Sequence, residues 1–410
     1  MLKRNLKVFF YSKYLDLSNH IITNNKVFYK KKIIISGGNS PKNFYTHLHK
    51  IKIFKNSQIF LSDERLIKKM SNENFLLKIF DNINIDFFKL KINEPSNFLF
   101  AILSIAIDGH ISSIFDPTIY KVLDRNKFTD KIKKNNENFE RIGYSKKFIS
   151  KLPTIYFFID KNKKIDFEKL FKKRNLFLKK LLCNEGDRKI FLPNNYIKNI
   201  IFDFDGVITD TLLLKAEAFQ FVYKEHSNNK QTMELIKNYH LKNGGISRII
   251  KFKYFHKKIL KKNISDKEIK YLSNKFDDYV NKKIINLKIT SKFLEFLKTC
   301  KIRKINLYIS SAATKKNIES FLKSKNILRF FKEIYDQRSK KIDHVRVIKR
   351  KYKANSLNTI YIGDSSSDII AAKENNIDIF LKKHKYNSDL INENRGVIKI
   401  INNFNEIKLT

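Results

Sequence analysis

The chain has 410 residues, with 84 lysines and arginines against 40 acidic residues, a formal charge of +44, and 42% apolar residues. That length allows two domains with separate cores, and two cysteines, Cys183 and Cys300, exclude a disulfide framework or a cysteine metal cage. No apolar stretch reaches spanning length, so the expectation is a soluble, cytoplasmic protein.

In the amino-terminal half, the apolar run Lys32 to Ile35 enters Ser36, Gly37, Gly38, Asn39, Ser40 and Pro41, followed by Phe44 and Leu48 at helical spacing. Backbone N–H groups of such a turn, with a helix N-terminus behind them, suit a phosphate. A second apolar run, from Gln58, ends in Asp63, Glu64 and Arg65. A third, Phe98 to Ile107, ends in Asp108, Gly109 and His110. Each predicts a buried parallel strand that delivers polar groups at one end. The plainer reading of His110 is a turn histidine hydrogen-bonded near a strand end; Asp63 and the Gly-Gly turn beside it favour a functional one. From Cys183 to about Asn195 the sequence mixes Gly, Pro, Asn and charge, which predicts a linker over residues 186–196.

In the carboxyl-terminal half, Ile201 and Phe202 lead into Asp203, Phe204, Asp205 and Gly206. Within a strand Asp203 and Asp205 would face the same way, and Gly206 would let the chain turn just past them. In open α/β sheets, ligands bind at the carboxyl ends of strands. Three further pieces follow in order: a run ending in Ser310 and Ser311, Lys340 and Lys341 before a helical pattern, and a run ending in Gly363 and Asp364 with Asp368 behind it. These groups suit phosphoryl transfer, which depends on positioning and charge neutralisation. Asp203 can attack phosphorus, and Asp205 can protonate the leaving oxygen and then activate water. Ser310 or Ser311, with Lys341 or Lys340, can hold phosphoryl oxygens. Asp203, Asp205, Asp364 and Asp368 together offer oxygen ligands for Mg2+. Between the first two motifs, residues 212–290 read as mostly helical. There Asn243, Gly244, Gly245 and Arg248 form either a loop facing the substrate, with Arg248 or Lys251 reaching an anionic or hydroxylated group, or a plain helix–helix turn.

The four motifs together resemble the haloacid-dehalogenase-like phosphatase superfamily, over roughly residues 197–395. The helical insertion resembles the cap of the subgroup that acts on small phosphorylated metabolites. That resemblance implies a phosphatase or a phosphomutase. The amino-terminal motifs resemble the sugar-phosphate lactonase and deaminase superfamily, closer to 6-phosphogluconolactonase than to the glucosamine-6-phosphate deaminases. This second resemblance implies that Gly37, Gly38, Asn39, Ser40, Arg65 and Arg141 bind a sugar phosphate. It also implies that His110 supports attack of water on a lactone, with Asp108 and Asp63 orienting groups around it. Ser104, Ile105 and Ala106 stand where that family usually carries Gly-x-Gly.

The expected fold class is α/β, with two Rossmann-like, mostly parallel-sheet domains, the second carrying a helical cap insertion. The expected boundaries are 1–185, a linker over 186–196, and 197–410 with the cap over about 212–290. The expected function is a bifunctional sugar-phosphate enzyme: a Mg2+-dependent phosphatase joined to a lactone hydrolase. The alternatives are a phosphomutase, or a phosphatase with a non-catalytic sugar-phosphate-binding domain. Small phosphorylated sugars or sugar acids are the expected partners. The lysines are scattered along the chain rather than gathered in one element, so no specific nucleic-acid partner is expected.

Overall fold

The computed structural model describes residues 6–11, 13–24, 31–37, 41–52, 54, 57–67, 69, 71–80, 95–115, 117–163, 165–167, 176–182, 186–243, 246–395 and 398–409. Gly38, Asn39, Ser40, Cys183, Gly244 and Gly245 lie outside these residues. The chain divides into two compact units, Met1–Pro193 and Asn194–Thr410.

The first unit contains the strands β1 (Leu6–Tyr11), β2 (Lys32–Ile35), β3 (Gln58–Leu61), β4 (Asp63–Arg65), β5 (Phe98–Ser104), β6 (Tyr120–Arg125), β7 (Thr129–Lys134), β8 (Glu140–Tyr144), β9 (Thr154–Phe158) and β10 (Asp187–Pro193). Six of them form a parallel sheet in the order β1-β10-β9-β5-β2-β3. Its strands are apolar on both faces because the sheet is covered on both sides. Phe100, Ile102, Tyr156, Phe158 and Phe191 pack on one face against Phe44, Tyr45 and Leu48 of the helix Lys42–Lys50. β2 and β5 lie side by side, and the chain leaves them in opposite directions across the sheet, so the strand order reverses between their carboxyl ends. β4, β8, β7 and β6 make a separate antiparallel sheet that the sequence reading did not foresee.

The expected linker is a correction. Residues Asp187–Pro193 form β10, paired on one side with β1 and on the other with β9. Its charged residues misled the reading: Arg188 is fully buried, and its guanidinium donates to the carbonyls of Ser150 and Pro153.

The second unit contains β11 (Asn199–Phe202), β12 (Asn306–Ser310), β13 (Glu333–Tyr335), β14 (Thr359–Gly363), β15 (Asp378–Lys382) and β16 (Lys399–Ile401). All are parallel, in the order β13-β12-β11-β14-β15-β16, so the strand order reverses between β11 and β14. That reversal opens a crevice at the carboxyl ends of these two strands. Between β11 and β12 lie the helices Leu212–Tyr223, Lys230–Lys242, Arg248–Tyr254 and Asp266–Ile284, with a π-helical turn at Phe255–Leu260. The last of these helices shows why the insertion folds. Ser265 accepts the Glu268 N–H at its start, and Ile269, Leu272, Phe276, Val280 and Ile284 line one buried face. Each such side chain contributes roughly 1.5–3 kcal/mol on leaving water. The helix Phe293–Ile302, which also reads as helical in sequence, packs under β11 instead, with the Phe293 ring 5.4 Å from Phe202. Cys300 is buried there, and burial pushes its thiol up to about 12, leaving it neutral. Among the described residues, no helix is long and apolar enough to cross a membrane.

Candidate functional site

β11 ends at Phe202, so Asp203 is the first residue beyond the strand. Its main-chain N–H still bonds the Ile362 carbonyl of β14 at 2.9 Å, which fixes its direction. One oxygen, Oδ1, accepts the Phe204 N–H at 2.7 Å, and the other, Oδ2, accepts from Lys341 Nζ at 2.7 Å. The same ammonium reaches Asp368 Oδ1 at 2.8 Å. Lys341 opens the helix Lys341–Tyr352, while Lys340 is exposed at its N-cap, so Lys341 is the lysine that enters the cluster. Asp368 serves two purposes. Its Oδ2 closes a capping box on the helix Ser366–Glu374 by accepting from Ser365 N–H and Oγ, and it also accepts from Asp364 N–H.

Asp364, at the end of β14, takes His384 Nε2 at 2.9 Å on its Oδ2. A Cβ on Gly206, whose φ is +75°, would come within 1.9 Å of that oxygen, and a Cβ on Gly363 would come within 2.3 Å of Asp368 Cβ. Both glycines therefore make room for carboxylates. Lys382 Nζ donates to the Gly206 carbonyl at 3.0 Å, and Asn387 holds the carbonyls of Asp364 and Lys382, each at 2.9 Å.

Asp203, Asp364 and Asp368 each offer one oxygen, all within 4.8 Å of one another. They are 3%, 8% and 0% exposed, so their mutual repulsion is little screened by solvent. Burial and the Asp368 charge push the Asp203 carboxyl well above its ordinary value against the pull of Lys341. Burial and Asp368 likewise raise Asp364 despite His384. Burial alone would lower Lys341, but Asp203 and Asp368 outweigh it and keep the ammonium protonated. Hard oxygen donors in close-set, charge-deficient array fit a divalent cation of the Mg2+ type.

Asp205 corrects the sequence reading. Because the strand stops before Asp203, Asp205 lies in the following turn and does not share the direction of Asp203. Its carboxylate faces the cap helix, accepting Thr211 Oγ1 and Lys215 Nζ, each at 2.5 Å, and its side chain is outside the three-carboxylate group. Burial would raise this carboxyl, but Lys215 and Thr211 reverse the shift and hold it below the usual range.

Ser310 Oγ is engaged by His344 Nδ1 at 2.9 Å, and Ser311 Oγ accepts the Ala313 N–H at 3.0 Å. Burial lowers His344 to about 4, so its ring is neutral. In the cap, Arg248 pairs with Asp277 and lies over Phe276, its carbon 5.5 Å from the ring centre. Lys251 is buried and bonds His240 Nδ1 at 2.8 Å, while His240 Nε2 donates to the Leu212 carbonyl. Burial and Lys215 lower Lys251 to about 7. Asp205, Lys215, Arg248, Lys251 and Asn317 line one narrow pocket between cap and sheet. Lys215, Thr211, His344, His384 and Lys382 were missed in the sequence. Only Lys215 leaves a signal there, one helical turn inside the helix that follows the Asp-x-Asp.

In the first unit, Asp63 is buried and accepts from Ser62 and Ser113 Oγ, at 3.0 and 2.8 Å, with Arg141 4.0 Å away. Arg141 Nε and Nη2 form a fork on Glu137, at 2.7 and 2.6 Å. Arg65 faces Arg141 across the β4–β8 pair. Gly37 packs so closely on Asn72 that a Cβ would come within 2.3 Å of it. Glu64 caps the helix Asn72–Leu77 through the N–H groups of Asn72 and Glu73. Past β5, His110 Nδ1 lies 2.5 Å from Asp108 Oδ1, on a half-exposed turn. Burial would raise Asp108, but the His110 contact dominates and holds its carboxyl at about 2. The Phe115 ring lies 4.5 Å from the His110 ring and 5.4 Å from the Arg141 guanidinium, linking these groups into one neighbourhood.

Residues 200–382 match the family model described as haloacid dehalogenase-like hydrolase. No curated protein matches the chain. Among solved structures, beta-phosphoglucomutase from Clostridium difficile is similar at 24% identity and a TM-score of 0.42, over 52% of this chain and 93% of its own. CbbY from Rhodobacter sphaeroides, in complex with phosphate, is similar at 15% identity and a TM-score of 0.44, over 51% of this chain and 95% of its own. A predicted phosphoglycolate phosphatase from Haemophilus somnus 129pt is similar at 19% identity and a TM-score of 0.45, over 52% of this chain and 96% of its own.

The raised carboxyls set a pH dependence of stability. Between the ordinary value of 3.8 and their folded values, Asp203 and Asp364 hold protons in the native state that the unfolded chain has released. Stability of the metal-free protein should therefore fall as pH rises above about 4. Asp364→Asn should flatten that slope, and so should millimolar Mg2+ in the wild type only. Urea unfolding at a series of pH values checks this; equal slopes in all samples would contradict it.

Proposed function

We propose that the carboxyl-terminal unit, a haloacid dehalogenase-like hydrolase domain, hydrolyses small phosphate monoesters through an aspartyl-phosphate on Asp203. The observation that carries this reading is the Lys341 ammonium held 2.7 Å from Asp203 Oδ2 at the strand-order reversal. An ammonium there directs the nucleophile and opposes the rise that burial and Asp368 impose on its carboxyl, and it can follow the negative charge onto phosphoryl oxygens as the new bond forms. A Mg2+ ion on Asp203, Asp364 and Asp368 would supply further positive charge for the phosphoryl group.

In the first step an Asp203 oxygen bonds to phosphorus, the bond to the leaving oxygen breaks, and Asp205 gives that oxygen a proton. In the second, Asp205 takes a proton from water, the hydroxide attacks phosphorus, and Asp203 is released with inorganic phosphate. Lys215 and Thr211 hold Asp205 in its anionic form, the form needed for the second step. Since both belong to the start of the cap, the protonation of Asp205 depends on where the cap lies. The polar pocket with Arg248 and Lys251 supports a hydroxylated or anionic leaving group, such as a phosphorylated sugar or sugar acid.

We propose for the amino-terminal unit hydrolysis of a sugar-phosphate lactone, supported by the His110–Asp108 pair on its half-exposed turn. Asp108, ionised throughout the neutral range, holds the His110 ring by its Nδ1 and so orients it for attack on water. Recognition of the phosphate would then fall to the Gly37 turn and Arg65, since Arg141 is matched by Glu137.

Phosphate release from a panel of sugar phosphates, with Mg2+, should fall by at least about 1,000-fold in Asp203→Asn. Isomerised product without released phosphate would instead identify a phosphomutase, and neither product would overturn the reading. Lys215→Met should free Asp205 to rise, moving the alkaline limb of the kcat/KM profile, where Asp205 must still carry the proton of the first step, up by about one pH unit; an unmoved limb would separate Lys215 from the acid–base step. For the first unit, His110→Ala should slow hydrolysis of a 6-phospholactone by about 100-fold. Hydrolysis equal in mutant and wild type would leave a binding module.

A further inference from the structure

Three side chains of the cap converge away from the carboxylate cluster. His226 follows the helix Leu212–Tyr223, His256 sits in the π-helical turn Phe255–Leu260, and Glu268 lies in the first turn of the helix Asp266–Ile284. Each offers one ligand atom, and these lie within 4.8 Å of one another. His256 Nε2 is 3.4 Å from Glu268 Oε1, and His226 Nδ1 is 3.8 Å from the same oxygen. The two imidazole rings meet nearly edge to face, with centres 5.3 Å apart.

His256 is the informative member. It is 2% exposed, and its Nε2 is buried without a hydrogen-bond partner. Its other nitrogen, Nδ1, lies 2.8 Å from Tyr223 Oη and 3.2 Å from the Phe252 carbonyl, while Tyr223 Oη donates to that same carbonyl. Two acceptors around Nδ1 place the ring proton there and leave Nε2 with a lone pair aimed at a carboxylate. A metal-bound histidine is oriented in the same way, by a bond from its second nitrogen to a backbone carbonyl or another acceptor. A direct imidazolium–carboxylate bond would close to about 2.7–2.9 Å. The observed 3.4 Å instead matches the separation of two ligands around a tetrahedral ion, about 3.3 Å for bonds of 2.0–2.1 Å. The π-helical turn contributes as well, since such turns redirect a side chain within an otherwise regular helix.

We infer that His226, His256 and Glu268 form a zinc-binding site in the cap. Two imidazole nitrogens and one carboxylate suit Zn2+ and disfavour Mg2+ and Ca2+, which take oxygen ligands. His226 and Glu268 are partly exposed, so a water can fill the fourth position. The ion would tie the end of the first cap helix to the π-helical turn and to the start of the helix Asp266–Ile284. The site is separate from the catalytic carboxylates. Lys215, which touches Asp205, is near the other end of the first cap helix, and a rise of 1.5 Å per residue puts roughly 15 Å between it and His226.

The test uses the full chain, stripped with a chelator and titrated with Zn2+ in excess Mg2+, which occupies oxygen-only sites. The expected result is one tightly held zinc per chain by calorimetry and metal analysis, with a rise in Tm. His226→Ala removes a partly exposed ring and so spares the core, as circular dichroism would verify. It should weaken zinc binding by at least about 100-fold, more than loss of an outer-shell partner does. Glu268→Gln should weaken it as well. Co2+ in the same site should show the strong visible absorption of a four-coordinate ion, lost in His226→Ala. No zinc uptake by the wild type, or equal affinity in the wild type and His226→Ala, would overturn the proposal.

Discussion

The second unit is organised around one buried ammonium. Lys341 Nζ bonds Asp203 at 2.7 Å and Asp368 at 2.8 Å, and so joins the end of β11 to the starts of two helices. Taking three carboxylates and an ammonium out of water is costly, and removing the ammonium would leave uncompensated charge in the interior. The surrounding chain is built to tolerate them. Gly206 and Gly363 leave space where a Cβ would collide, Ser365 shares Asp368 through a capping box, and Asn387 anchors the carbonyls behind Asp364. The fold thus places like charges together by using secondary-structure ends, where N–H groups are free to face an acid.

The cap adds the groups that the sheet lacks. Its first helix sends Lys215 and Thr211 down to Asp205, so the second acid of the Asp-x-Asp answers to the cap while the first answers to the sheet. Lys251, His240 and Arg248 extend the same polar surface, each already tied to a neighbour. The net charge of +44 belongs to the chain as a whole, and a positive molecule draws anionic ligands toward its surface.

Much of this was legible in the sequence because strand ends have a signature: an apolar run followed at once by polar or glycine residues. Asp203, Asp364 and Ser36 stand at strand ends as that signature predicts, with the parallel sheets behind them, whereas the run expected to reach Ile107 stops at Ser104 and leaves Asp108 in a turn. Charge at a strand's start reads as loop, and so β10 was mistaken for a linker although Lys189, Ile190 and Phe191 pair with both neighbours. The antiparallel sheet was missed for a related reason: β6 is largely exposed and alternates weakly, and so lacks an apolar face to announce it.

By itself the sequence determined which residue types stand at the strand ends, and with them the chemistry of acids, a lysine and glycines in a fixed order. Local propensity and hydrophobic spacing suffice for that, since both are properties of neighbouring residues. The tertiary structure alone decided which acids share a cation and which face the cap. It chose Lys341 over Lys340, turned Asp205 away from Asp203 and brought His384 to Asp364. It also brought together His226 from the turn after one cap helix, His256 from the π-helical turn and Glu268 from the start of another helix. Those pairings depend on where a strand stops, how a turn is directed and which helices pack together, and the distances involved are spatial rather than sequential.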